Sequence, residues 1–161
     1  MVKFKTVAAS IGLGLAAGLA GTAAMTASST LEARIRSREP STAPADAAAK
    51  ILGVRPEGDK QRARFSTVVH WSYGTAWGAA RGLLAAVGLA PVPAFVLHLV
   101  ALWGTEQVML PALDVAPPLT RWGAKEIAID GAHHVVYATA TSVAYQVLES
   151  GCVTRALAAI R

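Results

Sequence analysis

The chain has one cysteine, Cys152, and few charges: Asp, Glu, Lys and Arg make up only 16% of its 161 residues. A lone cysteine excludes an internal disulfide, and no C-x-x-C pair or zinc-finger spacing occurs. Cys152 reads as a small hydrophobe near the C-terminus. Catalytic signatures are missing as well. There is no H-E-x-x-H or E-x-x-H, Ser72 lies in no nucleophile elbow, and the glycine-rich stretches fall inside apolar runs rather than in a phosphate-binding loop. An enzyme is therefore not expected, and neither a cofactor nor a metal site follows from spacing.

What the chain does have is apolar surface. Hydrophobic residues make up 53% and mean hydropathy is +0.43, which is not the composition of an ordinary soluble domain. A pI near 9.8 could suggest nucleic acid. The basic residues flank apolar stretches, however, where membrane topology accounts for them, so no nucleic-acid partner is expected.

Four segments approach the roughly 20 apolar residues of a bilayer crossing. They run over about 6–27, 65–89, 93–113 and 127–148. The first is uncharged. The second holds His70 and Arg81, the third His98 and Glu106, and the fourth Asp130, His133 and His134. Gly88-Leu89-Ala90-Pro91-Val92-Pro93 is a tight break between the middle two. The expected fold is an all-α integral membrane protein. Its four transmembrane helices form two tandem helical hairpins in a single domain over residues 1–161, with a basic loop at 29–64.

The loops at 29–66 and 114–126 hold ten Lys and Arg, against Lys3, Lys5, Arg155 and Arg161 on the other side. That bias puts both charged loops in the cytoplasm and the termini outside. A signal peptide cleaved near Ala24-Met25-Thr26-Ala27 is the rival reading of the first segment. The length of the run and the Gly14/Gly18 G-x-x-x-G spacing speak against it. In the long loop, residues 30–36 extend the first helix, and a short helix follows Ser41-Thr42 and ends at Gly53. Its basic residues suit anionic lipid headgroups, so the bilayer is the expected partner.

One pattern occurs twice, H-x-x-Y-[small]-T-A: His70-Trp71-Ser72-Tyr73-Gly74-Thr75-Ala76 and His134-Val135-Val136-Tyr137-Ala138-Thr139-Ala140. It implies an internal repeat, with Gly21-Thr22 and Gly104-Thr105 as weaker counterparts. The two histidine-bearing helices run the same way, so the repeats would be related by an axis along the membrane normal. At 100° per residue, His70, Tyr73, Trp77 and Arg81 share one face of the second span. Asp130, His134, Tyr137, Thr141 and Tyr145 share one face of the fourth, with His133 turned about 100° away. Depth places His70, Glu106 and His134 at a similar level, with Asp130 nearby. Arg81 lies deeper, within reach of Glu106 or free to snorkel outward.

Ionisable groups inside a bilayer persist when they are paired or used. Three uses compete for this cluster of His70, Tyr73, Arg81, Glu106, Asp130, His134 and Tyr137. They are interhelical glue in a structural or partner-binding subunit, a proton or small-solute path or pH-responsive bundle, and, third, metal or catalytic chemistry. A further feature carries no chemistry. Gly74, Gly78 and Gly82 repeat at i+4 and form a flat groove, with Gly14 and Gly18 as the natural counterpart or, alternatively, a homo-oligomer seam.

The chain resembles the YagU-like family of uncharacterised bacterial inner-membrane proteins. The residues that carry the resemblance are Ala20-Gly21-Thr22-Ala23-Ala24-Met25-Thr26, His70-Trp71-Ser72-Tyr73-Gly74, Leu110-Pro111-Ala112-Leu113-Asp114-Val115-Ala116-Pro117-Pro118-Leu119 and His134-Val135-Val136-Tyr137. The resemblance implies an α-helical inner-membrane protein associated with acid resistance and without an established molecular activity. Trp122-Gly123-Ala124-Lys125-Glu126 departs from the family pattern, and the chain is shorter at both ends than some relatives.

Overall fold

The computed structural model describes the backbone of residues 4–158 and the side chains of residues 7–151. The side chains of Cys152 and of Lys3, Lys5, Arg155 and Arg161, used above for orientation, lie outside that range. Among the described residues every regular element is helical: α1 (Phe4–Ile35), α2 (Ala43–Leu52), α3 (Gly58–Ala86), α4 (Pro91–Ala112), a 3-10 turn (Leu119–Arg121) and α5 (Ala124–Ala158).

The local chemistry explains the boundaries. α1 is rich in alanine and leucine, strong helix formers, and runs past its apolar part to Ile35. Pro44 sits in the first turn of α2, where no backbone N–H is needed. Gly53 ends that helix in the left-handed region, with its N–H on the Ala49 carbonyl. Pro91 starts α4 in the same manner, after Gly88 turns the chain at φ 86°. α3 begins at Gly58 rather than near 65, because Lys60, Arg62 and Arg64 are good helix formers that carry it out of the apolar zone. α5 likewise extends beyond 127–148 at both ends.

α1 lies between α3 and α5 and packs closely on both, while α4 packs more loosely on α5 and α3 and scarcely meets α1. The two expected hairpins are therefore not equivalent in packing, since α1 is central to both. The closeness of α1 and α3 has a simple cause. A Cβ placed on Gly78 would lie 2.2 Å from the Gly14 carbonyl oxygen and 2.6 Å from Gly18 Cα, and one on Gly14 would lie 2.3 Å from the Gly78 oxygen. The two glycine rows are seated on each other within one chain. Gly21 and Gly104, expected as counterparts, have different surroundings. Gly21 abuts Thr141 and the Tyr137 ring, whereas nothing lies within 4 Å of a Cβ on Gly104.

Polarity is inverted relative to a water-soluble bundle. The largest fully buried side chains are Arg81, Tyr137, Tyr145, His98, Thr22 and Thr141. Large apolar side chains face outward instead, among them Val92 and Val108 at 72% exposure and Val100 at 60%. Two helices, Val7–Ile35 and Pro91–Ala112, are long and apolar enough to cross a membrane. Lys50 Nζ donates to the carbonyl oxygens of Leu113 (2.5 Å) and Asp114 (3.1 Å), tying α2 to the end of α4.

Candidate functional site

The charged-loop end of the bundle encloses a cavity of about 470 Å³. Thr26 and Ser29 of α1, His70 of α3, Glu106 of α4 and His134 of α5 contribute to its wall, and Ala47 and Ile51 of α2 cover it. Six of the seven expected polar-cluster residues line this space, Arg81 being the exception.

In its wall Glu106, Asp130 and His134 each offer a ligand-type atom, and these atoms all lie within 4.8 Å of one another. The sequence has no metal-binding spacing for this group because the ligands come from two helices that meet only in the fold. His134 is one helical turn after Asp130, so its Nδ1 reaches back to the Asp130 carbonyl oxygen at 2.9 Å. A carbonyl only accepts, so Nδ1 carries the proton. Nε2 then faces Glu106 Oε2 at 2.6 Å. The second nitrogen of a neutral imidazole and a carboxylate oxygen are both acceptors, and they cannot sit this close without a cation. One of them therefore carries a proton, which the pair shares in a short charge-assisted hydrogen bond. Asp130 Oδ2 is 3.7 Å from His134 Nδ1 and accepts a hydrogen bond from Trp103 Nε1 at 2.7 Å.

The remaining residues divide differently from the sequence expectation. His70 lines the cavity but bonds elsewhere: its Nε2 is 2.8 Å from Thr26 Oγ1. The Thr26 hydroxyl proton is already given to the Thr22 carbonyl, so the imidazole is the donor. Tyr73 lines the cavity, with its ring edge-on to Trp77. Tyr137 donates to the Gly74 carbonyl at 2.5 Å and ties α5 to α3.

Arg81 does not reach Glu106 and does not snorkel, being 2% exposed. Its Nε donates to Ser142 Oγ at 3.3 Å, and its guanidinium carbon lies 4.6 Å from the centre of the Tyr145 ring. The cause is geometric. α3 and α5 are parallel, and Arg81 follows His70 by the same eleven residues as Tyr145 follows His134.

Sequence reasoning left three contributors, Trp103, His133 and Glu32, out of the cluster. Trp103 precedes Glu106 by one helical turn and so shares its face, which was the available signal. His133 points to α1, where Nδ1 is 2.8 Å from Ser28 Oγ and Nε2 is 3.8 Å from Glu32 Oε2. Glu32 also binds Arg36 at 3.0 Å and Arg38, and its i,i+4 spacing to Arg36 was visible. Arg36 bridges to Glu126 at the start of α5, at 3.0 Å. Glu126 is held below the ordinary carboxylate value first by its own backbone N–H and then by Arg36.

No family model, curated protein or solved structure matches the chain.

Proposed function

We propose that the protein is a multi-pass protein of the bacterial inner membrane that admits a small cation from the charged-loop side to Glu106, Asp130 and His134. α1, α3, α4 and α5 are the four crossings, and the loops at 29–64 and 114–126 face the cytoplasm by their excess of Lys and Arg. Two crossings rest on apolar length alone. For α3 and α5 the support is the inverted polarity, because Arg81, His134, Tyr137, Thr141, Ser142 and Tyr145 are buried while Val68, Val143 and Val147 point out.

The observation that carries the functional reading is the 2.6 Å contact between two acceptor groups in the wall of a cavity large enough for solvent. A buried pair that shares a proton, in the wall of a cavity that a small solute can reach from one side, suits uptake and release of a cation. The competing reading is structural glue, and it has specific support at His70 and His133, whose bonds to Thr26 and Ser28 tie helices together.

Liposomes holding the purified protein separate the two. Internal pH and internal divalent metal are followed with trapped dyes after a gradient of either ion is imposed, for the unaltered chain and for Glu106→Gln and His134→Gln. Cation flux that falls in a folded variant supports the path. Flux independent of both residues, with loss of abundance as their only effect, refutes it.

A further inference from the structure

The ligand set identifies the cation. Resting on the cation-site reading above, we infer that Glu106, Asp130 and His134 bind one divalent transition-metal ion of the zinc type. Once the proton shared by His134 and Glu106 is released to solvent, two carboxylates and a neutral imidazole carry a charge of minus two, which a divalent ion balances at a largely buried site. Mixed nitrogen and oxygen donors favour zinc-like ions over magnesium or calcium, which take oxygen alone. With metal–ligand bonds of about 2.0–2.1 Å, tetrahedral ligand atoms stand about 3.3 Å apart. The 2.6 Å pair therefore has to open by less than about 1 Å, within a group already confined to 4.8 Å.

The surroundings are those of a ligating histidine and carboxylate. The His134 Nδ1–H is spent on the Asp130 carbonyl, which fixes the ring and turns Nε2 to the site. The Trp103 indole N–H holds the Asp130 carboxylate. Next in sequence, His133 lines the same cavity but turns to Ser28 and Glu32 of α1, so it stays outside the ligand set. Three protein ligands leave a coordination position towards the cavity, which is the form of an exchangeable site rather than a closed structural one.

The test uses the full chain in detergent, stripped with chelator and titrated with Zn²⁺ or Co²⁺. One ion binds per chain, and Co²⁺ shows visible ligand-field bands. His134→Gln, Glu106→Gln and Asp130→Asn each weaken binding at least about tenfold, and Trp103→Phe weakens it by about tenfold through the ligand it orients. If a variant does not fold, X-ray absorption of the zinc-loaded unaltered chain gives the answer: at least one imidazole with oxygen ligands and no sulfur. Absence of binding, a sulfur or all-oxygen shell, or unchanged affinity in a folded His134→Gln overturns the assignment. Proton flux that needs the cluster without any metal binding sinks this inference and leaves the cation path standing. Metal binding without flux of any cation does the reverse.

Discussion

Replacing Gly78 with alanine tests the close approach of α1 and α3 at its tightest point. The new methyl carbon would lie 2.2 Å from the Gly14 carbonyl oxygen, 2.6 Å from Gly18 Cα and 2.7 Å from Gly18 N. All three are backbone atoms, so no rotamer can relieve the contact, and ordinary contact needs more than 3.4 Å. The helices have to move apart by about 1 Å along a seam that also includes Gly74 and Gly82, losing dispersion contacts that fall off steeply with distance. Overpacking of this kind costs about 1–3 kcal/mol, roughly 2–12 °C in melting midpoint for a chain of this size. Gly12→Ala is the matched control, since nothing lies within 4 Å of its Cβ. Alanine there raises stability by about 0.5–1 kcal/mol by helix propensity alone. The assay is thermal unfolding in detergent followed by circular dichroism. Equal effects of the two substitutions, or a Gly78→Ala protein as stable as the parent, would refute the seam.

The buried Arg81 has no carboxylate within salt-bridge distance among the described residues. Arg81→Met is therefore close to neutral, whereas Tyr145→Leu removes the ring beneath the guanidinium and costs about 2 kcal/mol; unfolding midpoints decide the order. Lys50→Ala frees α2 from the end of α4, and limited proteolysis between residues 36 and 58 speeds up. The Glu126 carboxylate has a depressed pKa, so its stabilisation is complete above the ordinary value of 4.5 and is lost as pH falls through the lower one. Glu126→Gln removes that part of the acid sensitivity, seen as a flatter midpoint-against-pH curve below 4.5.

Helix number, the α2 segment and the glycine seam were legible because spacing at i+4 and punctuation by Gly and Pro are local properties of the chain. The Glu106–Asp130–His134 group was legible in part. Depth along each helix follows from counting residues, but the direction in which a helix faces depends on its neighbours. That is why His70, at the right depth, turned to Thr26 on α1, and why Arg81 found Ser142 and Tyr145 rather than Glu106. Trp103 and His133 were left out of the cluster for the same reason, since their partners lie on helices distant in sequence. Gly21 and Gly104 pack differently although the Gly-Thr dipeptide recurs, so the dipeptide alone gives no equivalence in the fold.

The central claim is a vestibule that leads from the cytoplasmic face to a cluster inside the membrane, and thiol accessibility tests it most directly. In a Cys152→Ser background, Ser66→Cys places a thiol in the cavity wall and Val100→Cys places one on the outward apolar face of α4. A membrane-impermeant maleimide is applied to inside-out and right-side-out vesicles. The account predicts that the Ser66→Cys thiol reacts only in inside-out vesicles, and that the Val100→Cys thiol reacts in neither until detergent strips the lipid. Reaction at position 100 in intact vesicles, or at position 66 from the outer face, would contradict it.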